Sequence, residues 1–245
     1  MLKQALPDFS PTALDRRQPV VGQIFDQLRA QIISLQLAPG TPLSRPALAE
    51  RFGVSQTPIR DALLRLEQQS LVHIFPQSST VVAPIDVEQA REAQFLRIAL
   101  ECELARSIAR DPTAYDLGGP ARLLEDMHVA WEAAKDKPTF IYKDLAYHRL
   151  LFQAVGREPL WDLVVERSGN VDRLRNLHLP TPGKAVQILA DHHEHLDALK
   201  AGDAARAQEV IRRHLTGTLG AVEELRRANP RCFQDRRASG APLTA

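Results

Sequence analysis

The 245-residue sequence reads as a mainly α protein in two unlike parts, an N-terminal winged helix-turn-helix and a C-terminal antiparallel six-helix bundle. Three observations predict this. Between about Gln18 and Pro84, one long apolar stripe is followed by two short helical runs around a glycine turn, then by two β-leaning stretches. From Asp86 onward apolar residues recur at helical period almost throughout, interrupted by regularly placed breakers. With 44% hydrophobic and 25% charged residues, the chain has enough apolar material for a packed core in each part.

The elements follow in order. Residues 1–17 are polar and broken by proline, which predicts a flexible arm. Val21, Ile24, Leu28, Ile32 and Leu35 recur at steps of three and four, one face of a helix, and Pro39-Gly40 stops it. Ser44 can cap a short second helix carrying Leu48 and Ala49. Gly53, within Phe52-Gly53-Val54, suits the left-handed conformation of a tight turn. Ser55 can cap a third helix with Pro58 in its first turn and Ile59, Ala62, Leu63 and Leu66 facing inward. Leu71–Phe75 and Thr80–Ala83, split by Pro76-Gln77-Ser78-Ser79, predict a hairpin. This first domain spans 18–84. The bundle spans 86–227, with helices at about 86–110, 117–135, 139–155, 158–178, 183–200 and 203–227. Residues 229–245 are expected to fray as a tail.

Charge and composition exclude several function classes. Lys+Arg 31 against Asp+Glu 30 leaves a net +1, so any nucleic-acid site must be a local patch. No run of 18 apolar residues exists, which excludes a membrane-spanning helix. Pro7, Asp8, Pro11 and Asp15 stand where a signal peptide would need an apolar stretch. Cys102 and Cys232 make neither a disulfide framework nor a Cys-rich zinc site, so a cytoplasmic address is expected. With Phe 8, Tyr 3 and Trp 2, an RNA-stacking surface is not the main function.

A recognition helix must offer short polar residues at its N-terminus so that it can enter the major groove. Ser55, Gln56, Thr57 and Arg60 meet that need. Ser55 and Thr57 can donate to phosphates, Gln56 can pair bidentately with adenine, and Arg60 can reach guanine or a phosphate. Arg45, Arg51 and Arg65 are placed for flanking phosphate contacts. The plainer alternative is a small helical subdomain with Ser and Thr caps. The run GVSQTPIRDALLRLEQQSLV, with LAPGTPLS and LAERFGVS before it, resembles the winged helix of the GntR family of bacterial transcriptional regulators over roughly 18–84. That resemblance implies operator binding. Three positions depart from the family: Gln56 stands in place of its usual Arg, Ser70 in place of Gly, and Gln77–Ser79 lacks the wing-tip Gly. Gln56 therefore implies a different operator base preference.

Ligand-type residues lie on apolar stripes of the bundle. Asp144 and His148, at i and i+4, share a face with Ile141, Leu145, Phe152 and Val155. His192 falls among Ala185, Leu189, Leu196 and Leu199, although the period does not separate it from His193. His214 falls among Ala207, Val210 or Ile211, Thr218 and Leu225. Such groups on a core face are costly unless satisfied. They are either hydrogen-bonded core residues or ligands to a divalent ion, with zinc first and nickel, iron or manganese as alternatives. DLAYHRLLFQAVG and HHEHLDALKAGDAARAQEVIRRHL resemble the FCD ligand-binding domain of the FadR-type subfamily, over about 86–227. The resemblance implies a metal on Asp144, His148, His192 and His214, the last two each 11 residues from Asp203. It also implies that Arg97, in an R-x3-E with Glu101, meets an effector carboxylate as a bidentate pair. The alternative for Arg97 is an ion pair with Glu101. Arg173, in VDRLRNL, is a second candidate anion contact.

Together these features predict a regulator, not an enzyme: a homodimer on double-stranded operator DNA, responsive to a small organic acid. Two rivals stand beside it. A metal-dependent enzyme with an appended DNA-binding module would use the cation to activate water, but no G-x-S-x-G motif or spare inward carboxylate accompanies the cluster. Alternatively, the bundle is a dimerisation scaffold with core histidines.

Overall fold

The computed structural model describes residues 11–76 and 79–233. The first unit comprises α1 (Val20–Ile33), α2 (Arg45–Phe52), α3 (Gln56–Gln68), β1 (Val72–Ile74) and β2 (Thr80–Val82). Ile24, Leu28 and Ile32 of α1 pack on Leu48 of α2 and on Ile59, Leu63 and Leu66 of α3. The stripe ends one residue earlier than its spacing predicts. Leu35 turns out of the helix at φ 64, and Leu37 fills the core position instead, fully buried. Ser44 caps α2 by accepting the Ala47 N–H, and Gly53 closes it at φ 64.

The hairpin is antiparallel with Val72 opposite Val82, and Gln77 and Ser78 of its tip lie outside the described residues. Each strand is shorter than predicted, although pairing runs on at both ends, the Ala83 N–H donating to the Leu71 carbonyl at 2.9 Å and the Phe75 N–H to the Ser79 carbonyl at 2.8 Å. Leu71 is buried against the second domain, and the Ala83 carbonyl accepts from Arg173. The loop after α1 lies along β2, with the Gly40 N–H donating to Val82 and the Val82 N–H to Thr41.

Pro11–Arg17, expected as part of a loose arm, is tied to α1. The Gln27 amide pairs with the Thr12 backbone in both directions, at 2.8 and 3.0 Å. Gln23 does the same with Asp15, at 2.7 and 2.8 Å. Residues 1–10 lie outside the description.

The second unit comprises α4 (Val87–Arg110), α5 (Gly118–Ala134), α6 (Lys137–Ala154), α7 (Glu158–Arg167), α8 (Gly169–His178), α9 (Lys184–Lys200), α10 (Ala204–Gly220) and α11 (Val222–Ala228). None of these helices is long and apolar enough to cross a membrane. Two of the six expected helices are each divided. The fourth breaks at Ser168, whose hydroxyl lies 2.6 Å from Asp172 and competes for local backbone bonds. The sixth breaks after Gly220, a poor helix propagator, and α11 turns so that Val222 and Leu225 reach Ile85 and Val87. The main core lies between α4, α5, α6, α9 and α10, around Ile108, Leu124, Phe140, Tyr147, Leu199 and Ile211.

The tail does not fray at its start. Phe233 pairs with Ile85 as a parallel bridge, and the Ile85 N–H donates to the Cys232 carbonyl at 2.8 Å. Residues 234–245 lie outside the described chain.

Helix α8 holds the two units together. Gly169 sits so close to Leu71 that a Cβ there would meet its Cδ2 at 2.8 Å. Arg173 is fully buried and grips the linker, donating to the carbonyls of Ala83 (2.6 Å) and Pro84 (3.3 Å) and to Asn170 Oδ1 (2.6 Å). Asn170 in turn accepts the Asp86 N–H at 3.0 Å. Burial pushes the Arg173 guanidinium down to about 10. Arg173, expected as an anion contact, instead directs its Nη1 and Nη2 groups to the linker carbonyls and Asn170, and its Nε is buried without a partner among the described residues. Replacing it with an apolar side chain of similar length should strand those carbonyls, at about 1–3 kcal/mol for each one left unpaired. Arg173→Met is expected to lower unfolding stability by that order in urea titration, and a variant as stable as the parent would contradict this assignment.

Candidate DNA interface and metal centre

The face of α3 opposite Ile59, Ala62, Leu63 and Leu66 presents Ser55, Gln56, Thr57 and Arg60 to solvent. Ser55 occupies the N-cap backbone position but makes no capping bond with its side chain. Its hydroxyl and the first N–H groups of α3 thus face outward at the positive end of the helix dipole. The Arg60 guanidinium rests on Asp61 at 3.0 Å in an exposed pair, a contact weak enough to exchange for a phosphate or base. Arg45 opens α2 half-exposed. Arg65 is exposed, and its guanidinium carbon lies 4.5 Å from the Phe25 ring centre.

Three bundle helices bring the predicted ligands together. Asp144 and His148 come from α6, His192 from α9 and His214 from α10, and one donor atom of each lies within 4.8 Å of all the others. The ring centres of His192 and His214 are 4.3 Å apart, and those of His148 and His192 are 5.1 Å apart. His192 is fully buried in the cluster while His193 is exposed, which resolves the pair that periodicity left open. His195 is also buried, but it turns to the Tyr147 hydroxyl at 2.9 Å.

The electrostatics prepare these side chains as ligands. Burial drives the imidazoles of His148, His192 and His214 below their usual range, so all three are held neutral. The His148 Nδ1 lies 2.6 Å from Glu101 Oε2; as the donor there, it leaves the Nε2 lone pair facing the cluster. Burial works to raise the Glu101 carboxyl, but Arg97 and His148 hold it well below the ordinary carboxylate range. Three ring nitrogens (His148 Nε2, His192 Nδ1 and His214 Nδ1) are buried without a hydrogen-bond partner among the described residues. The His192 Nε2 rests 2.8 Å from Asp144 Oδ1. Neutral imidazoles, unmet lone pairs and one carboxylate are a donor set that fits a borderline divalent cation.

Beside the cluster lies a small pocket bordered by Arg97, Arg175, Lys184, His214 and Thr218. A second small lobe, bordered by Asp144, Phe140 and Leu179, shares Arg175, Lys184, Ile188 and Thr218 with it. Arg97 makes the ion pair with Glu101 that was its expected alternative. Its Nε donates to Glu101 at 2.7 Å, while its Nη2 is buried and unpartnered at the cavity wall.

Arg175 and Lys184 escaped sequence reasoning. Arg175 pairs with Asp144 and lies 3.5 Å from Asp172. Burial pushes its guanidinium down to about 9. A usable signal was present: Arg173 and Arg175 stand two positions apart on one helix and so point to different sides, and Arg175 shares its side with Val171, which also borders the cavity.

Comparison with known proteins agrees with both halves. Residues 21–82 match the model of the bacterial regulatory proteins of the gntR family, and residues 92–217 match the FCD domain. The chain is 31% identical to the HTH-type transcriptional repressor RspR of Escherichia coli K12, covering 91% of this chain and 98% of that one. It is 32% identical over 86% of its length to an HTH-type transcriptional regulator from an unstable DNA locus of Streptomyces ambofaciens, covering 88% of that protein. Among solved structures, E. coli McbR/YncC shares the fold, with a TM-score of 0.71 at 22% identity over 84% of this chain and 98% of that one. The chain therefore belongs to the GntR family of bacterial regulatory proteins and is a transcriptional regulator with a GntR helix-turn-helix followed by an FCD domain.

Proposed function

We propose that the protein is a metal-dependent sensor of a small carboxylate, in which effector binding in the bundle sets the operator affinity of a homodimer. The observation that carries this reading is the buried set of Asp144, His148, His192 and His214, with three unmet ring nitrogens, opening onto a cavity where Arg97 Nη2 also lacks a partner. A divalent ion, with zinc first and nickel, iron or manganese as alternatives, would supply a Lewis-acid anchor for the effector. Glu101 orients the His148 ring, and Arg97 aims a guanidinium edge at the effector's carboxylate. Both carboxylates nearest the rings are already engaged, Glu101 by Arg97 and His148 and Asp144 by Arg175 and His192. This favours binding over a reaction that needs a general base.

A chain of contacts supports communication with the DNA-binding domain. Arg175 touches Asp144 on one side and Asp172 on the other. Asp172 lies 4.0 Å from Arg29 of α1. Arg29 donates to Val165 (2.8 Å) and to Gln69, the residue that closes the recognition helix (3.0 Å). An anion that draws Arg175 toward the cavity would loosen its hold on Asp172 and so alter how α1 and α3 are seated. Two copies would present two α3 helices to matching operator half-sites. Coupling between such sites is typically about 1–3 kcal/mol, or roughly 5–150-fold in affinity.

Elemental analysis tests the cation site. Asp144→Ala and His214→Ala proteins should each lose their metal, and Glu101→Gln should weaken metal affinity roughly 10–100-fold by freeing the His148 ring. Full occupancy in both ligand variants would remove the site. Titration against a library of labelled duplexes tests the readout. Arg60→Ala should weaken binding strongly, whereas Gln56→Arg should change which sequences are preferred, and unchanged selectivity in the latter would overturn the assignment of Gln56. For the coupling, Asp172→Asn should retain its metal yet shrink the effector-induced change in operator affinity toward one-fold. The acid selected by a thermal-shift screen provides the probe, and a response equal to that of the parent would rule out this route.

A further inference from the structure

The cations around the cavity are unequally satisfied. Arg97 is matched by Glu101, and Arg175 is matched by Asp144. Lys184, at the start of α9, is half-buried and borders both lobes, yet no carboxylate lies within ion-pair distance of its ammonium among the described residues. Its placement depends on Gly217 of α10, where an added Cβ would meet the Lys184 Nζ at 2.9 Å. A side chain there would push the flexible end of Lys184 aside. The second lobe is lined by carbon from Phe140, Ile141, Leu179 and Ile188 beside the polar groups of Asp144, Arg175 and Thr218.

We propose that the effector is a short aliphatic dicarboxylate, with one carboxylate at the metal and Arg97 and the second held by Lys184 together with Arg175. The proposal rests on the metal-and-effector reading above and narrows its ligand class. A divalent ion would add two positive charges to a cavity that already holds one unmatched ammonium. A monocarboxylate would leave most of that excess buried, while a dianion would neutralise the larger part of it. The apolar wall suits a short carbon chain between the two charged ends.

Calorimetric titration of zinc-loaded, full-length protein with succinate and with butyrate provides the test, because butyrate replaces one carboxylate with a methyl group. Malonate and glutarate bracket the span. At least one dicarboxylate should bind roughly 10–100-fold tighter than butyrate, the range expected for one charge-assisted contact. Lys184→Met should abolish that advantage and leave both butyrate affinity and zinc content unchanged. Gly217→Ala, which keeps the charge but displaces the ammonium, should reduce the advantage without touching zinc. Equal binding of the dicarboxylates and butyrate by the parent protein, or equal losses for both in Lys184→Met, would overturn the proposal while leaving the sensor reading intact. Failure of every acid to bind zinc-replete protein would overturn both.

Discussion

Two guanidinium groups on the ten-residue helix α8 link the two halves of the molecule. Buried polar groups must find partners, and α8 provides them on both of its sides. Arg173 satisfies the carbonyls of the linker, and Arg175 satisfies a carboxylate of the ligand cluster. Because α8 is short and begins at the Ser168 break, its orientation is set by these contacts and by the close approach of Gly169 to Leu71. The linker, the first unit and the pocket beside the Asp144–His cluster therefore share one support.

The interior of the bundle concentrates polar chemistry where an apolar core would otherwise be continuous. Desolvation keeps the imidazoles neutral, and neutrality is the state in which they can ligate. Glu101 is ionised in the same dry environment because Arg97 stands against it, and its charge fixes the tautomer of His148. Each group would be unfavourable alone. As a set they form a compact cluster contributed by α6, α9 and α10, with one donor atom of each of Asp144, His148, His192 and His214 within 4.8 Å of the others.

The DNA-facing side follows a different logic. The polar residues Ser55, Gln56, Thr57 and Arg60 sit on the exposed start of α3, backed by an apolar face that packs into the core, so the helix is held while its polar end stays open to solvent. The ion pair of Arg60 with Asp61 is exposed and exchangeable, unlike the buried pairs of the bundle. Rigidity in the scaffold with looseness at the contact surface suits a module that must bind and release.

Much of this was legible in the linear chain. Helical period placed α1 to α3 and the bundle helices, and i, i+4 spacing placed Asp144 and His148 on one face, because both patterns are local consequences of 3.6 residues per turn. The resemblance to the GntR and FCD patterns supplied His192 and His214 as partners. What periodicity left undecided needed a third dimension: His192 against His193, and the anchoring of Pro11–Arg17 and of residues up to Phe233. The same holds for the partners of Arg173, at the linker, and of Arg175, at Asp144. Those outcomes depend on which neighbour from a distant helix or linker approaches each side of an element. Spacing along one helix fixes a side chain's direction, but only packing decides what stands in that direction.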